Sequence, residues 1–368
     1  MRQRWAWRLR VATTACLVSC GLAGCWDEIA LASRAPAIVV YVAASKKPDL
    51  RWTFFFPNPT VIAGSVTNIS SQEQLYTRTA IAPSLTKAKQ DVEARLDRQV
   101  YLGQLQVLTF ASNVTANQMT GTITEYNRHA RWPTTAFVMA EPPGKSPLPV
   151  STHEPIPDIY YAEYYSCRTC KALDLSKTEW QVWDDTASPG VSPTMPFASQ
   201  PGTANLLAVY PQVGPPFIWS RGQTVGWAIL RNHTQGLTTV ADSRLGQFVV
   251  ANVRTKSQVT IELHHRWLTA NVRVRVNGNL EKWPRTGQLP HHQVGAMEAV
   301  LSHQVATYCQ QAIQRADATK TDPFGWGRDY LFSHSPLNIQ YANDAGRVWP
   351  IEAHVQVTSR LNVVGASS

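Results

Sequence analysis

The sequence predicts a multi-domain α+β protein, with an N-terminal mixed α/β domain followed by a C-terminal antiparallel sheet with a long helix packed on it. In the first half, predicted strands are separated by predicted helices, which is typical of a mixed layer. In the second half, residues 271–277 alternate strictly between valine and polar side chains, as in a strand with one buried and one solvent-exposed face. Pro290 then leads into a helix to about residue 318, with apolar side chains in steps of three and four, before a last strand at 351–361.

In chain order, residues 36–43 and 50–56 are apolar runs joined by a Lys-Lys-Pro-Asp turn, which predicts a hairpin. Ser84 is the predicted N-cap of a helix to about residue 98, and Ser176 with Glu179 has capping-box spacing. Further helices are predicted at 122–128 and 159–165, and further strands at 105–110, 135–140, 206–210, 225–230, 248–253 and 259–263.

Residues 188–201 are dense in proline, serine and glycine, which favours a domain boundary near residue 200. We therefore expect a signal peptide at 1–24 and two domains at 25–200 and 201–368. Residues 142–200 are a candidate separate subdomain within the first of these.

The N-terminus has the three parts of a secretory signal peptide: four arginines, an uncharged run over residues 11–23, and small residues before Cys25. Residues 22–25, Leu-Ala-Gly-Cys, form a bacterial lipobox. This pattern predicts a diacylglyceryl group on Cys25, which becomes the mature N-terminus, and two acyl chains are enough for stable anchoring. A plain cleaved signal peptide and a lipobox ending at Cys20 are the alternatives. The run is too short to span a bilayer.

The composition is that of a globular protein, with 368 residues, 44% hydrophobic and 16% charged. The formal net charge is +9, of which the signal-peptide arginines account for +4, so the mature chain carries +5. Because the basic residues are scattered along the sequence, a solvated basic surface is favoured over nucleic-acid binding.

The sequence contains no catalytic or phosphate-binding signature. His264 and His265 are neighbours in a predicted strand, so they point to opposite faces and cannot share a metal; we expect neither a metal nor a cofactor. Cys167 and Cys170 form a C-x-x-C pair, for which a local disulfide or two unreactive thiols is favoured over redox catalysis. The 13 tryptophans are interpreted mainly as core and edge packing, with a membrane- or partner-facing aromatic surface as the alternative.

Four stretches, taken in order, resemble the Ger(x)C lipoproteins, the C subunits of spore germinant receptors. Cys25 is followed directly by Trp-Asp, and residues 101–107 are similar to a family strand, with Gln104 where the family usually has histidine. Residues 128–140 and 321–327, the latter TDPFGWG, are similar to two further family segments.

The resemblance implies a non-enzymatic subunit, lipid-anchored through Cys25 on the outer face of the spore inner membrane. It would act with two integral-membrane partners, the A and B subunits, in nutrient-triggered germination. Arg273 and Arg275, on the wet face of their strand, are candidates for the partner surface. The alternatives are a solute-binding lipoprotein of a transporter, which needs two similar lobes, and a secreted enzyme using Cys167 and Cys170.

Overall fold

Three β-sheets and six helices make up the part of the chain that the computed structural model describes. The described residues are 33–46, 48–58, 75–129, 132–144, 163, 166–167, 171–199, 205–243, 246–264, 267–283, 290–334 and 349–363. Among them, every helix is too short or too polar to cross a membrane.

The N-terminal half is built on an eight-stranded mixed sheet in the order β10-β9-β8-β7-β6-β2-β3-β4. The central strands β2, β6, β7 and β8 run parallel, whereas the strands outside them pair antiparallel. The predicted hairpin is confirmed as β2 and β3. A separate two-stranded sheet joins β1 to β5. The strands are β1 Arg34–Pro36, β2 Val39–Ala44, β3 Leu50–Pro57, β4 Leu75–Ala82, β5 Gln99–Tyr101, β6 Val107–Ala111, β7 Phe137–Glu141, β8 Thr194–Phe197, β9 Leu206–Val209 and β10 Phe217–Ile218.

Helices α1 (Leu85–Glu93), α2 (Ala116–Asn127) and α3 (Glu179–Ala187) connect these strands. Ser84 caps α1 as predicted, with its hydroxyl accepting from the Lys87 N–H. The capping box predicted at Ser176 is wrong by two residues, since the N-cap of α3 is Thr178. The reason is that the Ser176 hydroxyl instead donates to the Asp174 carboxylate in the preceding turn.

The C-terminal half is a four-stranded sheet in the order β11-β12-β13-β14, with the 29-residue helix α5 packed against it. β11, β12 and β13 are antiparallel, and β14 lies parallel to β13 because α5 carries the chain back to the same end of the sheet. The elements are α4 Arg221–Leu230, β11 Leu237–Ser243, β12 Gly246–His264, β13 Trp267–Lys282, α5 His291–Thr319, α6 Trp326–His334 and β14 Ile351–Val363. The predicted α+β fold, with a long helix on a C-terminal sheet, is confirmed. The sheet is antiparallel over β11, β12 and β13, as predicted, and only the pairing of β14 departs from this.

The strand predicted at 225–230 is wrong, because these residues belong to helix α4. Ser220 and Gln223 form a capping box at its start, and every residue from Thr224 to Leu230 is buried. A helix buried on all sides has no polar face, so its sequence does not show the alternation of polar and apolar residues by which a helix is predicted. Gly226 lies against α5, where a Cβ would overlap the carbonyl oxygen of Tyr308.

Two hydrophobic cores meet at strand β9. Ala208 and Tyr210 point into the core of the N-terminal sheet, whereas Leu207 and Val209 point into the core shared by α4, α5 and the C-terminal sheet. The alternation of β9 therefore joins the two halves through buried side chains. The domain limits at 25–200 and 201–368 stay a prediction.

Candidate functional site

The predicted anchoring site lies outside the described residues. Cys25 and the lipobox precede Ser33, at which the described part of the chain begins. Lipidation of Cys25 therefore stays a prediction.

The 321–327 stretch, singled out in the sequence, forms a tight turn between α5 and α6 around Asp322. The Asp322 side chain is 1% exposed, and its carboxylate accepts from the backbone N–H of Phe324 at 3.1 Å and of Gly327 at 2.7 Å. Burial raises the pKa of Asp322 to about 6, although four backbone N–H groups oppose this increase. Gly325 has a φ of 70°, which favours glycine at this position in the turn.

The same turn joins the two halves of the chain. The Ser192 N–H donates to the Asp322 carbonyl, and the Asp322 N–H donates to the Ser192 hydroxyl, both at 2.9 Å. Trp227 of α4 donates its indole N–H to the Pro323 carbonyl at 2.9 Å. Since Ser192 leads into β8, the turn fixes α4, α5 and the N-terminal sheet to one another.

Aromatic rings and an ion pair extend this junction. The Phe324 ring stacks on Trp326 with centroids 4.5 Å apart. Nearer the surface, the Arg328 guanidinium lies 3.2 Å from a carboxylate oxygen of Asp184 in α3. The junction is thus a structural unit in which the polar groups bind other groups of the protein.

Two buried carboxylates lie apart from this junction, in the N-terminal half. Burial raises the pKa of Glu141 to about 8 and that of Glu179 to about 7. Glu179 accepts a hydrogen bond from the Asn127 side chain, whereas Oε1 of Glu141 has no hydrogen-bond partner. Within the described ranges, three metal-ligating side chains do not come together anywhere.

The cysteine and histidine candidates have separate environments. Cys167 is disulfide-bonded, whereas Cys170 lies outside the described residues. His264 lies 3.0 Å from the Glu262 carboxylate at the exposed end of β12, and His265 is outside the described part. Cys309 is a free thiol buried in α5.

The tryptophans divide into core and surface groups. Trp52, Trp219, Trp227 and Trp326 are among the largest fully buried side chains, which confirms core packing as their main role. Trp180, Trp183 and Trp267 are exceptions, since each is 42–49% exposed.

The outer face of the C-terminal sheet carries the two arginines that the sequence pattern predicted to be exposed. Val272 and Val274 of β13 are buried, and Arg273 and Arg275 between them are exposed, as the alternation predicts. Three neighbouring cations project from the same face, so we define the basic face by five residues: Arg254, Lys256, Arg273, Arg275 and Arg360. The sequence pattern predicted only the two arginines on β13, because the other three cations come beside them only when the strands pair.

Comparison with known proteins identifies the family. The profile of the spore germination protein N-terminal domain matches residues 27–200, and that of the spore germination B3/GerAC-like C-terminal domain matches residues 219–365. No curated protein matches the chain by sequence.

Among solved structures, the fold is similar to one described as the crystal structure of the GerBC protein. The TM-score is 0.52 at 10% sequence identity, over 88% of this chain and 96% of the other. At this identity the similarity concerns the fold alone. Because the two family profiles together cover most of the sequence, the chain belongs to the GerAC/GerBC-like family of spore germination proteins.

Proposed function

We propose that this spore germination protein is a lipid-anchored subunit of a germinant receptor, held on the outer face of the spore inner membrane through Cys25. The observation that carries the proposal is the position of the family match. It begins at residue 27, two residues after the lipobox cysteine, so the family sequence starts where the predicted mature chain starts.

In this proposal, the subunit binds and positions integral-membrane partners of the A and B type and does not catalyse a reaction. The junction around Asp322 supports this role, since its hydrogen bonds connect the two halves and could pass a contact made on one half to the other. A solute-binding lipoprotein would need two similar lobes. In the part of the chain that the structure describes, the two main sheets have eight and four strands in different orders, which gives that alternative no support.

The test is a pull-down of the tagged full-length protein from detergent-solubilised spore membranes, with mass spectrometry of the recovered proteins. We expect two multi-spanning membrane proteins. Recovery of a transporter permease with its ATPase, or of no membrane protein, would contradict the proposal.

Two cysteine variants test the anchor separately. We expect Cys25→Ala to move the protein out of the membrane fraction and to abolish recovery of the partners. Cys20→Ala is the matched control, because it removes the alternative lipobox cysteine and should leave both properties unchanged. Membrane attachment that survives Cys25→Ala but not Cys20→Ala would assign the lipid to Cys20.

A further inference from the structure

The basic face concentrates five cations in one small area of the C-terminal sheet. In the strand pairing, Lys256 of β12 lies opposite Arg275 of β13, which pairs in turn with Thr358 of β14. Each such set of three paired residues forms a row across β12, β13 and β14. The rows on either side are Arg254-Asn277-Arg360 and Gln258-Arg273-Gln356. With residues of one face about 7 Å apart along a strand and strands about 4.8 Å apart, these nine side chains cover about 14 by 10 Å.

This area holds five cations and four neutral polar side chains, but no carboxylate. Among the described residues, none of the five cations forms an ion pair. The nearest acids on the same face of these strands lie about 14 Å along them at both ends of the area. Glu262 and Glu352 are two rows beyond Arg273, and Glu281 is two rows beyond Asn277. Glu262 already lies beside His264.

The arrangement is unfavourable for the isolated sheet. Like charges directly opposite each other on paired strands destabilise a sheet, and Lys256 and Arg275 are such a pair. An anionic surface placed against the face would remove this repulsion and give the cations their missing counter-charges.

The side chains of the face also indicate the class of anion. The nine positions include no apolar residue to form the buried centre of a protein interface, and no aromatic ring on which a nucleic-acid base could stack. Arginine, lysine and amide groups suffice to bind phosphate headgroups, which require no shaped pocket. Trp267, 49% exposed on the same face of β13 but about 20 Å from Arg273 and beyond Glu262 and Glu352, is an aromatic side chain of the type found at membrane interfaces.

We propose that the basic face lies against the anionic phospholipid headgroups of the membrane to which the protein is anchored. The inference rests on the proposed function in one respect, because the anchor at Cys25 holds the protein at the bilayer. Only eight residues separate Cys25 from Arg34, the first residue of β1, so the tether spans at most about 30 Å. Such a tether keeps the folded part of the chain close to the lipid surface.

The test uses a chain starting at residue 26, which lacks the acylated cysteine but keeps every residue that the structure describes. Its partition onto phosphatidylcholine vesicles with and without 30% phosphatidylglycerol is measured by co-sedimentation at low and high salt. We expect binding to the anionic vesicles alone, weakened by salt because screening shortens the reach of the charges. Since neither acylation nor the receptor partners take part, this result is independent of the pull-down.

Neutral variants assign the binding to the face. K256Q/R273Q/R275Q should lower the partition coefficient about a hundredfold, at about fivefold for each cation near an anionic surface. R51Q/R78Q/R128Q is the matched control, because it removes the same charge from exposed positions of the N-terminal half and should have little effect. If the first variant fails to fold by circular dichroism, R254Q/R360Q should still lower binding about 25-fold.

Three results would overturn the proposal. The first is no binding to anionic vesicles at low salt, and the second is an equal loss in the face and control variants. The third is face-dependent binding of a poly-glutamate peptide without binding to vesicles, which would assign the face to an acidic protein partner.

Discussion

The Asp322 turn and the basic face are two polar clusters of the C-terminal half, and they differ in where their partners lie. Asp322 is buried and receives backbone N–H groups from its own turn, while the main chain around it bonds to Ser192. The five cations of the basic face are in solvent and pair with no carboxylate of the described chain. The polar groups of the Asp322 turn therefore stabilise the fold, whereas the cations of the basic face are available to a ligand.

Replacing Asp322 should have the largest effect, because it leaves several buried N–H groups without an acceptor. We expect Asp322→Ala to lower the free energy of unfolding by about 3–5 kcal/mol, measured by urea denaturation. Asp329→Ala is the control, since that carboxylate is about half exposed and forms only surface ion pairs, worth at most about 1 kcal/mol. Equal losses in the two variants would show that the turn is not a structural centre.

The contact between α4 and α5 beside this turn gives the next effect. Gly226→Ala places a Cβ against the Tyr308 carbonyl and should cost about 1–3 kcal/mol, because backbone must shift to admit it. Gly295→Ala, within α5, meets nothing within 4 Å and should stabilise the protein by up to about 1 kcal/mol. Thermal unfolding of both variants measures the contrast. A neutral Gly226→Ala would mean that the helices are less closely packed than the structure shows.

Buried carboxylates should make stability depend on pH in the direction opposite to that of carboxylates whose pKa is lowered by folding. The pKa of Glu141 is raised to about 8 in the folded state, so the folded chain binds this proton more tightly than the unfolded chain does. Stability should therefore rise as the pH falls from 8.5 to 6.5, followed as the melting temperature. Above pH 6.5 His233 contributes little, because burial lowers its pKa and its unfolded form is still mostly neutral.

Glu141→Gln tests the assignment of this pH dependence. The variant keeps the shape of the side chain and removes the titration, so its melting temperature should vary less over the same range. An unchanged slope would assign the dependence to another group, of which Glu179 is the first to test, since its pKa is raised to about 7.

The sequence was informative where side chains alternate or a helix has a polar face. It predicted α5 and β14 closely and located the middle of β13 at 271–277, because each has one buried and one solvent-exposed side. It failed for the fully buried helix α4, and it treated the single strand β12 as two, since residues 254–258 between the two predicted strands are all polar. It also missed β8, which is buried throughout but lies in a stretch rich in proline and serine.

The candidate sites show the same limit. The 321–327 segment was found by its similarity to a family, but its role as a junction depends on Ser192, which is 130 residues away. Arg273 and Arg275 were found by alternation. The size of the basic face depends on strand register, which brings Lys256 and Arg360 beside them from distant parts of the sequence. Local patterns indicate which way a side chain points, and only the folded sheet shows what stands next to it.

The smallest expected effect isolates the repulsion within the basic face. Lys256→Gln removes a charge directly opposite Arg275, so it should leave the free energy of unfolding unchanged or raise it by up to about 0.5 kcal/mol. Arg254→Gln is the matched control on the same strand, because Arg254 lies opposite neutral Asn277 and its removal relieves no such contact. The difference between the two variants should vanish in 0.5 M salt, where charges in solvent are screened over a few ångströms. A loss of stability on removing Lys256 would mean that this cation has a partner within the fold, and the face would then be less available to a membrane.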